Sequence, residues 1–565
     1  MRRFLVLILF ISVLVAPIPA LYAQDGTNKP KSTKVARTPS RIAAEGITAA
    51  QLRDYLYFVA SDEMEGRDTP SRGLNITAKF IATLLSRWGV KPAGDDGTYF
   101  QKIEMGRERI DAAATRAEIN GQPFKYGDDF LASPRTGAAT GALVFVGHGW
   151  FIKSKDIDAY RGVDVKNKIV VLSGDRYPNG VSPSDLNEST RGVDWLLPRE
   201  YAKKMGALGV ISLPSPLSIA NWDRALRRQQ AGGTLEIVRL MDSPKGSLPD
   251  IALTPKMADA LFQGEKHSAD EIFKSLGSTA PIPPFDLDPA KRVSLTISGQ
   301  DDSLSTQNVI GMIEGSDPKL KTEYVAIGAH YDHVGTGPAG SNGRGPAREG
   351  NKADIIYNGA DDDGSGTVSL LSMAEALAHA PRRPKRSVLF VWHCGEEKGL
   401  WGSKYFTRYP TVPIDRIIAQ FNIDMIGRSK ATSDTSALNR TLTGPNEIYV
   451  IGSKMMSTEL GELSERINQS YLNLSFNYLY DNPTDPNRFF FRSDHYNYAQ
   501  KGIPIIFYFD GVHEDYHRPG DEPEKIDFDK MQRVARTIFV TMWETAELKT
   551  RPMVDKKLPP ELTGR

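Results

Sequence analysis

Four near-continuous apolar runs, Tyr324–Ile327, Val388–Trp392, Ile417–Ile423 and Ile503–Phe509, each break off into a polar cluster, and a helical pattern, Thr367–Ala380, lies between the first two. Runs without apolar/polar alternation are what strands covered on both faces look like, so the segment reads as a central sheet with helices packed against it. In open α/β sheets the ligand crevice lies beyond the carboxyl ends of the strands. That rule gathers His330-Tyr331-Asp332, the loop Asn358–Gly366, His393-Cys394-Gly395-Glu396-Glu397, Asp424 and Tyr516-His517 at one edge. The predicted fold class is α/β: a mixed, mainly parallel central sheet flanked by helices, with a smaller β-rich insert domain.

The insert is predicted from a change of texture. Short strands at Ala142–Val146, Lys168–Leu172 and Ala207–Leu213 alternate with Gly- and Pro-containing loops, up to the Pro281-Ile282-Pro283-Pro284 break. Ala49–Trp88 has helical spacing in two pieces around a turn at Glu65–Pro70. Residues 1–23 read as a secretory signal, with Arg2 and Arg3, an apolar run Phe4–Val15 and a small-residue exit at Ala20 or Ala23. The apolar run is too short to span a membrane, so the expectation is an exported protein, periplasmic or extracellular, without a stable membrane span. The predicted divisions are 24–45 as a basic linker, 46–135 and 293–548 as two parts of one domain, 136–292 as the insert and 549–565 as a tail. With 70 Lys and Arg against 69 Asp and Glu in 565 residues, no basic face for nucleic acid is expected.

Seven of the nine His lie between His330 and His517, and the single Cys, Cys394, excludes an intramolecular disulfide or a Cys-rich zinc site. Imidazoles mixed with carboxylates suit divalent cations, and two adjacent ions need one carboxylate shared between them. Two Zn²⁺ bring four positive charges; Asp361, Glu397 and Asp424 with one bound hydroxide balance them. Glu396 is then left to accept the proton of the attacking water.

These residues resemble the MH-clan zinc aminopeptidases, which include bacterial leucyl aminopeptidase and, more distantly, glutamate carboxypeptidase II, transferrin receptor and glutaminyl cyclase. The resemblance runs through His-x-Asp at His330 and Asp332, Gly-Ala-Asp-Asp-x-x-Ser-Gly at Gly359–Gly366 and Glu-Glu-x-Gly-x-x-Gly-Ser at Glu396–Ser403. It continues in Asn-x-Asp-Met at Asn422–Met425, Ser-Asp-His at Ser493–His495 and Tyr-His at Tyr516-His517. It implies two Zn²⁺ per chain, bridged by Asp361, one held by His330 and Asp424 and the other by Glu397 and His517. It implies Glu396 as general base, Asp332 as the partner orienting His330, Tyr516 as donor to the oxyanion and Arg492 near the substrate. It also implies a cis peptide between Asp361 and Asp362, and it likens the insert to a protease-associated domain. The activity implied is aminopeptidase hydrolysis of peptide substrates by metal-bound hydroxide.

Other readings of single motifs are weaker. His513-Glu514-Asp515-Tyr516-His517 matches H-E-x-x-H, but Gly511, Pro519-Gly520 and Pro523 leave no room for the helix that motif needs, so His513 is expected on a surface loop. The Asp361–Gly366 run imitates a calcium loop without its closing Glu, position 12 being Ser372. His393, His379 and Cys394 are assigned to packing or surface. Alternatives for the whole chain are a carboxypeptidase with Arg488 or Arg492 as clamp, a one-zinc cyclase-like enzyme, and a receptor-like binding protein that has lost the chemistry. For the insert three roles stay open: gating access, binding substrate, or forming a homodimer.

Overall fold

A computed structural model describes residues 37–558 except 134–135, 174–176, 187–189, 232–233, 241–247, 276–280, 338–347 and 350–351. The secretory-signal segment, most of the basic linker and the end of the tail lie outside the described residues. The chain from Thr38 onward is one unit. Its main sheet contains β1 (Phe100–Ile110), β2 (Gly299–Ile313), β3 (Tyr324–His330), β4 (Ser387–His393), β5 (Ile417–Ile423), β6 (Glu447–Ile451) and β7 (Ile505–Phe509). Their order is β1-β2-β4-β3-β5-β7-β6, extended at the edges by Thr234–Ile237 beside β1 and Ser475–Asn477 beside β6. The centre, β4-β3-β5-β7, is parallel. Antiparallel pairs of β2 with β4 and of β6 with β7 border it, so the sheet is mixed, and parallel mainly at its centre.

Every residue of β4 and β5 is buried, which is why these strands carry apolar residues at almost every position. Alternation survives as a division between two cores. Val325, Ile327, Val388, Phe390 and Trp392 pack on one face; Ala326, Leu389 and Val391 pack on the other. The first face is covered by α2 (Ala49–Val59), α3 (Arg72–Arg87), α4 (Gly366–Ala378) and α6 (Phe528–Glu547), the second by α5 (Trp401–Arg408) and the segment His495–Ala499. A short helix before them, α1 (Pro39–Ala44), falls inside the stretch expected to be linker. Thr38 caps it, Ala43 and Ala44 are buried, and Ser40 Oγ donates to Glu544 at 2.6 Å, so residues 39–44 belong to the folded unit.

The insert hangs on the long antiparallel ladder of β1 and β2. Its larger sheet runs Phe285–Asp286, Leu143–Phe145, Ile169–Leu172, Gly209–Ser212, Asp250–Leu253, Phe130–Ala132. Its smaller sheet joins Gln122–Phe124, Arg116–Ile119, Val293–Ile297 and Gly137–Gly141. The unit therefore draws in residues well before the expected start at 136, and Val293–Ile297 lies beyond the expected end. Its Thr234–Ile237 strand returns to pair with β1.

One buried cation ties the N-terminal helices to the sheet edge. Arg67 is fully buried in the turn between α2 and α3. Its guanidinium donates to Val59 O and Asn358 O at 2.7 Å, Gly359 O at 2.9 Å and Tyr331 O at 3.1 Å. Val59 ends α2, and the other three carbonyls belong to the loops that follow β3 and lead into α4. Gly66 beside it has φ +64°, and a Cβ there would lie 2.4 Å from Gly335 O, so the close approach requires glycine. Burial pulls the Arg67 guanidinium down to about 10, with Asp332 and Asp363 nearby resisting, so it stays charged at neutral pH. Replacing Arg67 by Met leaves buried carbonyls unpaired and should destabilise the protein by about 3 kcal/mol or more in urea unfolding. Arg67→Lys should recover only part of this, because an ammonium cannot reproduce the planar fork.

Candidate metal centre

The carboxyl ends of β3, β4 and β5 and the loops after β3 and β7 bring the chemistry-bearing side chains together. His330, the last residue of β3, is fixed at the backbone: its N–H donates to Asp363 Oδ2 at 3.1 Å and its carbonyl accepts Thr367 Oγ1 at 2.6 Å. Its Nδ1 lies 3.1 Å from Asp332 O and 3.6 Å from Asp332 Oδ1. Nε2 faces outward, 3.3 Å from Asp362 Oδ1, 3.5 Å from Asp424 Oδ1 and 4.0 Å from Glu396 Oε2. His517 Nε2 lies 3.1 Å from Asp362 Oδ2 and 2.9 Å from Glu397 Oε2. Asp362 thus offers one oxygen to the His330/Asp424 side and the other to the Glu397/His517 side. His330 Nε2, His517 Nε2 and Asp362 Oδ2 are buried without a hydrogen-bond partner although they crowd one another. Buried polar atoms left in that state fit a divalent cation between them.

The carboxylate that faces both sides is therefore Asp362, one residue after the expected Asp361. Asp361 turns away: Oδ1 accepts Gly427 N–H at 2.7 Å and Oδ2 lies 3.4 Å from His513 Nε2. The cis peptide likewise falls between Asp362 and Asp363, not between Asp361 and Asp362. Asp521 sets this register, its Oδ2 accepting the N–H groups of both Asp361 (3.0 Å) and Asp362 (3.1 Å). Asp363 completes it by accepting from Gly366, Met425 and His330. His513, expected on the surface, is 2% exposed because it is the partner of the displaced Asp361. The segment around it is turn rather than helix, and His513 and His517 face different carboxylates, which disposes of the H-E-x-x-H reading.

The adjacent Glu396 and Glu397 separate by environment. Glu397 faces imidazoles, and despite burial and neighbouring Asp362, His517 and His333 hold its carboxyl down, to about 2. Burial pushes the Glu396 carboxyl well above the carboxylate range, resisted by His330 and reinforced by Asp424 and Glu397. Its N–H donates to Asp332 Oδ1 at 3.2 Å, tying it to the strand that carries His330. Against the cost of burial, Glu397 and Asp362 push the His517 imidazole up to about 10. Burial, then Asp362 and Glu397, keep the Tyr516 phenol well above its usual value, so it remains neutral. Arg492 Nη2 donates to Tyr516 Oη at 3.4 Å and its guanidinium lies 4.9 Å from the Phe489 ring centre.

Beside these groups is a narrow cavity of about 30 Å³ lined by Asp362, Glu396, Asp424 and Arg492 on its polar side and by an apolar wall including Met425, Phe507 and Val512. A far larger cavity, about 760 Å³, lies in the insert between Phe145, Tyr177, Phe273 and Pro281–Pro284 and shares no residue with the polar cluster. Chemistry rather than size marks the site. Arg488 does not line the narrow cavity; it sits over the Phe491 ring. His393 is buried against Tyr498 and burial pushes it down to about 3, so it is neutral packing, and burial pushes the Cys394 thiol far up. Sequence reasoning passed over His333, whose Nδ1 lies 2.8 Å from Glu397 Oε1; the His-Tyr-Asp-His spacing held the only hint.

Asp362→Asn should lower bound zinc, measured by elemental analysis after equilibration at fixed free Zn²⁺, by about 100-fold in affinity, whereas Asp361→Asn should retain zinc and lose thermal stability. The reverse pattern would return the shared position to Asp361.

Residues 308–542 match the family described as Peptidase family M28. A probable zinc metalloprotease of Pyrenophora teres f. teres (strain 0-1) is 26% identical over 279 residues, covering 44% of this chain and 53% of its own length. Aminopeptidase YwaD of Bacillus subtilis (strain 168) is 25% identical over 260 residues, covering 45% and 48%. The chain spans about half the length of these curated relatives. Among solved structures, an aminopeptidase from Aneurinibacillus sp. strain AM-1 is 17% identical, covering 92% of this chain and 98% of its own, with a TM-score of 0.48. Residues 308–542, the part of the chain that matches peptidase family M28, hold β3 to β7 and all the side chains of the polar cluster.

Proposed function

We propose that this chain is an exported zinc metallopeptidase that releases N-terminal residues from peptides, with two Zn²⁺ per chain. The observation that carries the reading is the divided Asp362 carboxylate, one oxygen toward His330 and Asp424 and the other toward Glu397 and His517. Export rests on the secretory pattern of residues 1–23. The names of the relatives, a zinc metalloprotease and an aminopeptidase, support the same class.

Zinc held there would acidify a water to a pKa of about 7 and polarise the scissile carbonyl. The protein supplies the rest. Glu396, buried beside the cluster yet set apart from Glu397, takes the proton of the attacking water and passes it to the leaving amine. Asp332 holds His330 through Nδ1 and the Glu396 backbone through its N–H, so ligand and base keep one spacing. Neutral Tyr516 donates to the oxygen of the carbonyl under attack, and Arg492 steadies that hydroxyl. Asp424 faces the cavity as a counter-charge for a substrate α-ammonium, and the Met425/Phe507/Val512 wall takes a small apolar side chain. Arg492 on the same cavity is the one feature that favours the carboxypeptidase alternative.

Glu396→Gln should keep its bound zinc and lose about 10²–10⁴-fold in kcat. Turnover near wild type at full metal content removes Glu396 as the base. A second assay settles the exo-specificity: dipeptides with a free amino group should be cleaved whether or not their carboxyl is amidated, and N-acetylation should abolish cleavage. Sensitivity to carboxyl blocking with tolerance of acetylation would make the enzyme a carboxypeptidase.

A further inference from the structure

The two halves of the cluster are unequal, and the difference is His333. On one side His330 Nε2, Asp362 Oδ1 and Asp424 Oδ1 converge as three protein donors. On the other, Asp362 Oδ2, Glu397 and His517 Nε2 are joined by His333 Nδ1, 2.8 Å from Glu397 Oε1 and 3.8 Å from Asp362 Oδ2. The His333 and His517 rings meet at 75° with centroids 5.6 Å apart, approaching the same two carboxylates from different directions.

His333 shares a signature with His330 and His517. Each has a ring nitrogen within about 3.3 Å of a carboxylate oxygen, and in each that nitrogen is buried and outside hydrogen-bond alignment. Imidazoles aimed at a point between carboxylates, rather than at the carboxylates themselves, are arranged for a shared cation. The ring is also fixed in place. It is fully buried, and Gly359 lies so close that a Cβ there would stand 2.5 Å from His333 Cγ. A buried ring whose nitrogens find no hydrogen bond is costly unless something else occupies its lone pair.

We propose that His333 Nδ1 is a fourth protein ligand of the ion held by Glu397, Asp362 and His517. That position is then closed by four side chains, while the His330/Asp362/Asp424 position keeps an open place for water or the substrate amine. The assignment rests on the two-metal reading above and deepens it: one ion is held as in a structural site and the other as in a catalytic one. The closed ion resists removal, and chelators strip the open one first.

The test is a zinc titration against metal buffers, together with the visible absorption of the cobalt-substituted protein, for wild type, His333→Ala and His333→Asn. Asn can donate a hydrogen bond to Glu397 from nearly the position of Nδ1 but is a poor zinc ligand, so it separates ligation from mere positioning. Wild type should bind two ions of clearly different affinity. Both variants should weaken the tighter one by more than about 100-fold and reduce the intense bands of four-coordinate cobalt as water replaces imidazole. Two-ion binding and cobalt spectra like wild type in either folded variant, or rescue by Asn, would overturn the ligand assignment and leave the two-metal reading standing. A wild-type protein that binds fewer than two ions would overturn both. Thermal melting confirms that each variant is folded before it is titrated.

Discussion

Carboxylates outnumber the protein's own cations at one buried edge of the sheet, and that imbalance governs the rest of the structure. Asp332, Asp361, Asp362, Asp363, Asp424, Asp510 and Asp521 are all buried there, with Glu396 and Glu397 beside them. Several are neutralised from within. Asp363 accepts three backbone N–H groups, Asp521 accepts two and pairs with Arg428, and Asp510 accepts Arg428 N–H at 2.7 Å. Arg67 adds a positive charge from beneath. Asp362, Glu397 and Asp424 face imidazoles, which in ordinary water are only partly charged near neutral pH. Burying anionic groups is costly without compensation, and here protons drawn onto the facing imidazoles, as on His517, or a cation in their place can supply it. A divalent cation bound there would be the compact answer, and its binding energy would add to the folding energy.

That accounting also explains what the sequence could reveal. The strands of the parallel centre were legible because burial on both faces leaves near-continuous apolar runs, and His330, Glu397, Asp424 and His517 were legible because they follow such runs or their loops. The choice among Asp361, Asp362 and Asp363 was not. Three identical residues in a loop have no periodicity to orient them, and their register is set largely by Asp521 and by the amide of Met425, contacts across long stretches of chain. His513 inherited the same error, since only the turned-away Asp361 gives it a reason to be buried. The insert boundary failed differently: Arg116–Ile119 and Phe130–Ala132 are short strands whose partners, Val293–Ile297 and Asp250–Leu253, lie over a hundred residues away.

The site is assembled from pieces that meet only in the finished fold. Arg67 holds the loops after β3 and before α4, Asp332 joins the end of β3 to Glu396 after β4, and Asp521 reaches from beyond β7 to the Asp run. Each contact spans tens to hundreds of positions, so the geometry depends on the whole domain being closed. The insert contributes none of the side chains named in the cluster.

Identical neighbours acquire different work from the groups that surround each of them. Asp361 braces Gly427 and His513, Asp362 divides its oxygens between two clusters, and Asp363 gathers amides from the end of β3, the start of α4 and the loop after β5. Glu396 and Glu397 repeat the pattern: one is pressed toward protonation by burial and negative neighbours, the other is drawn toward ionisation by two imidazoles. A carboxylate already surrounded by N–H donors has little charge left to offer an ion and acts as scaffold. One facing imidazoles across a gap retains that charge, and one that is buried and crowded by other carboxylates gains affinity for a proton. The hydrogen bonds each acid already makes therefore separate the acids that brace the loops from those left facing the imidazoles more sharply than residue type does.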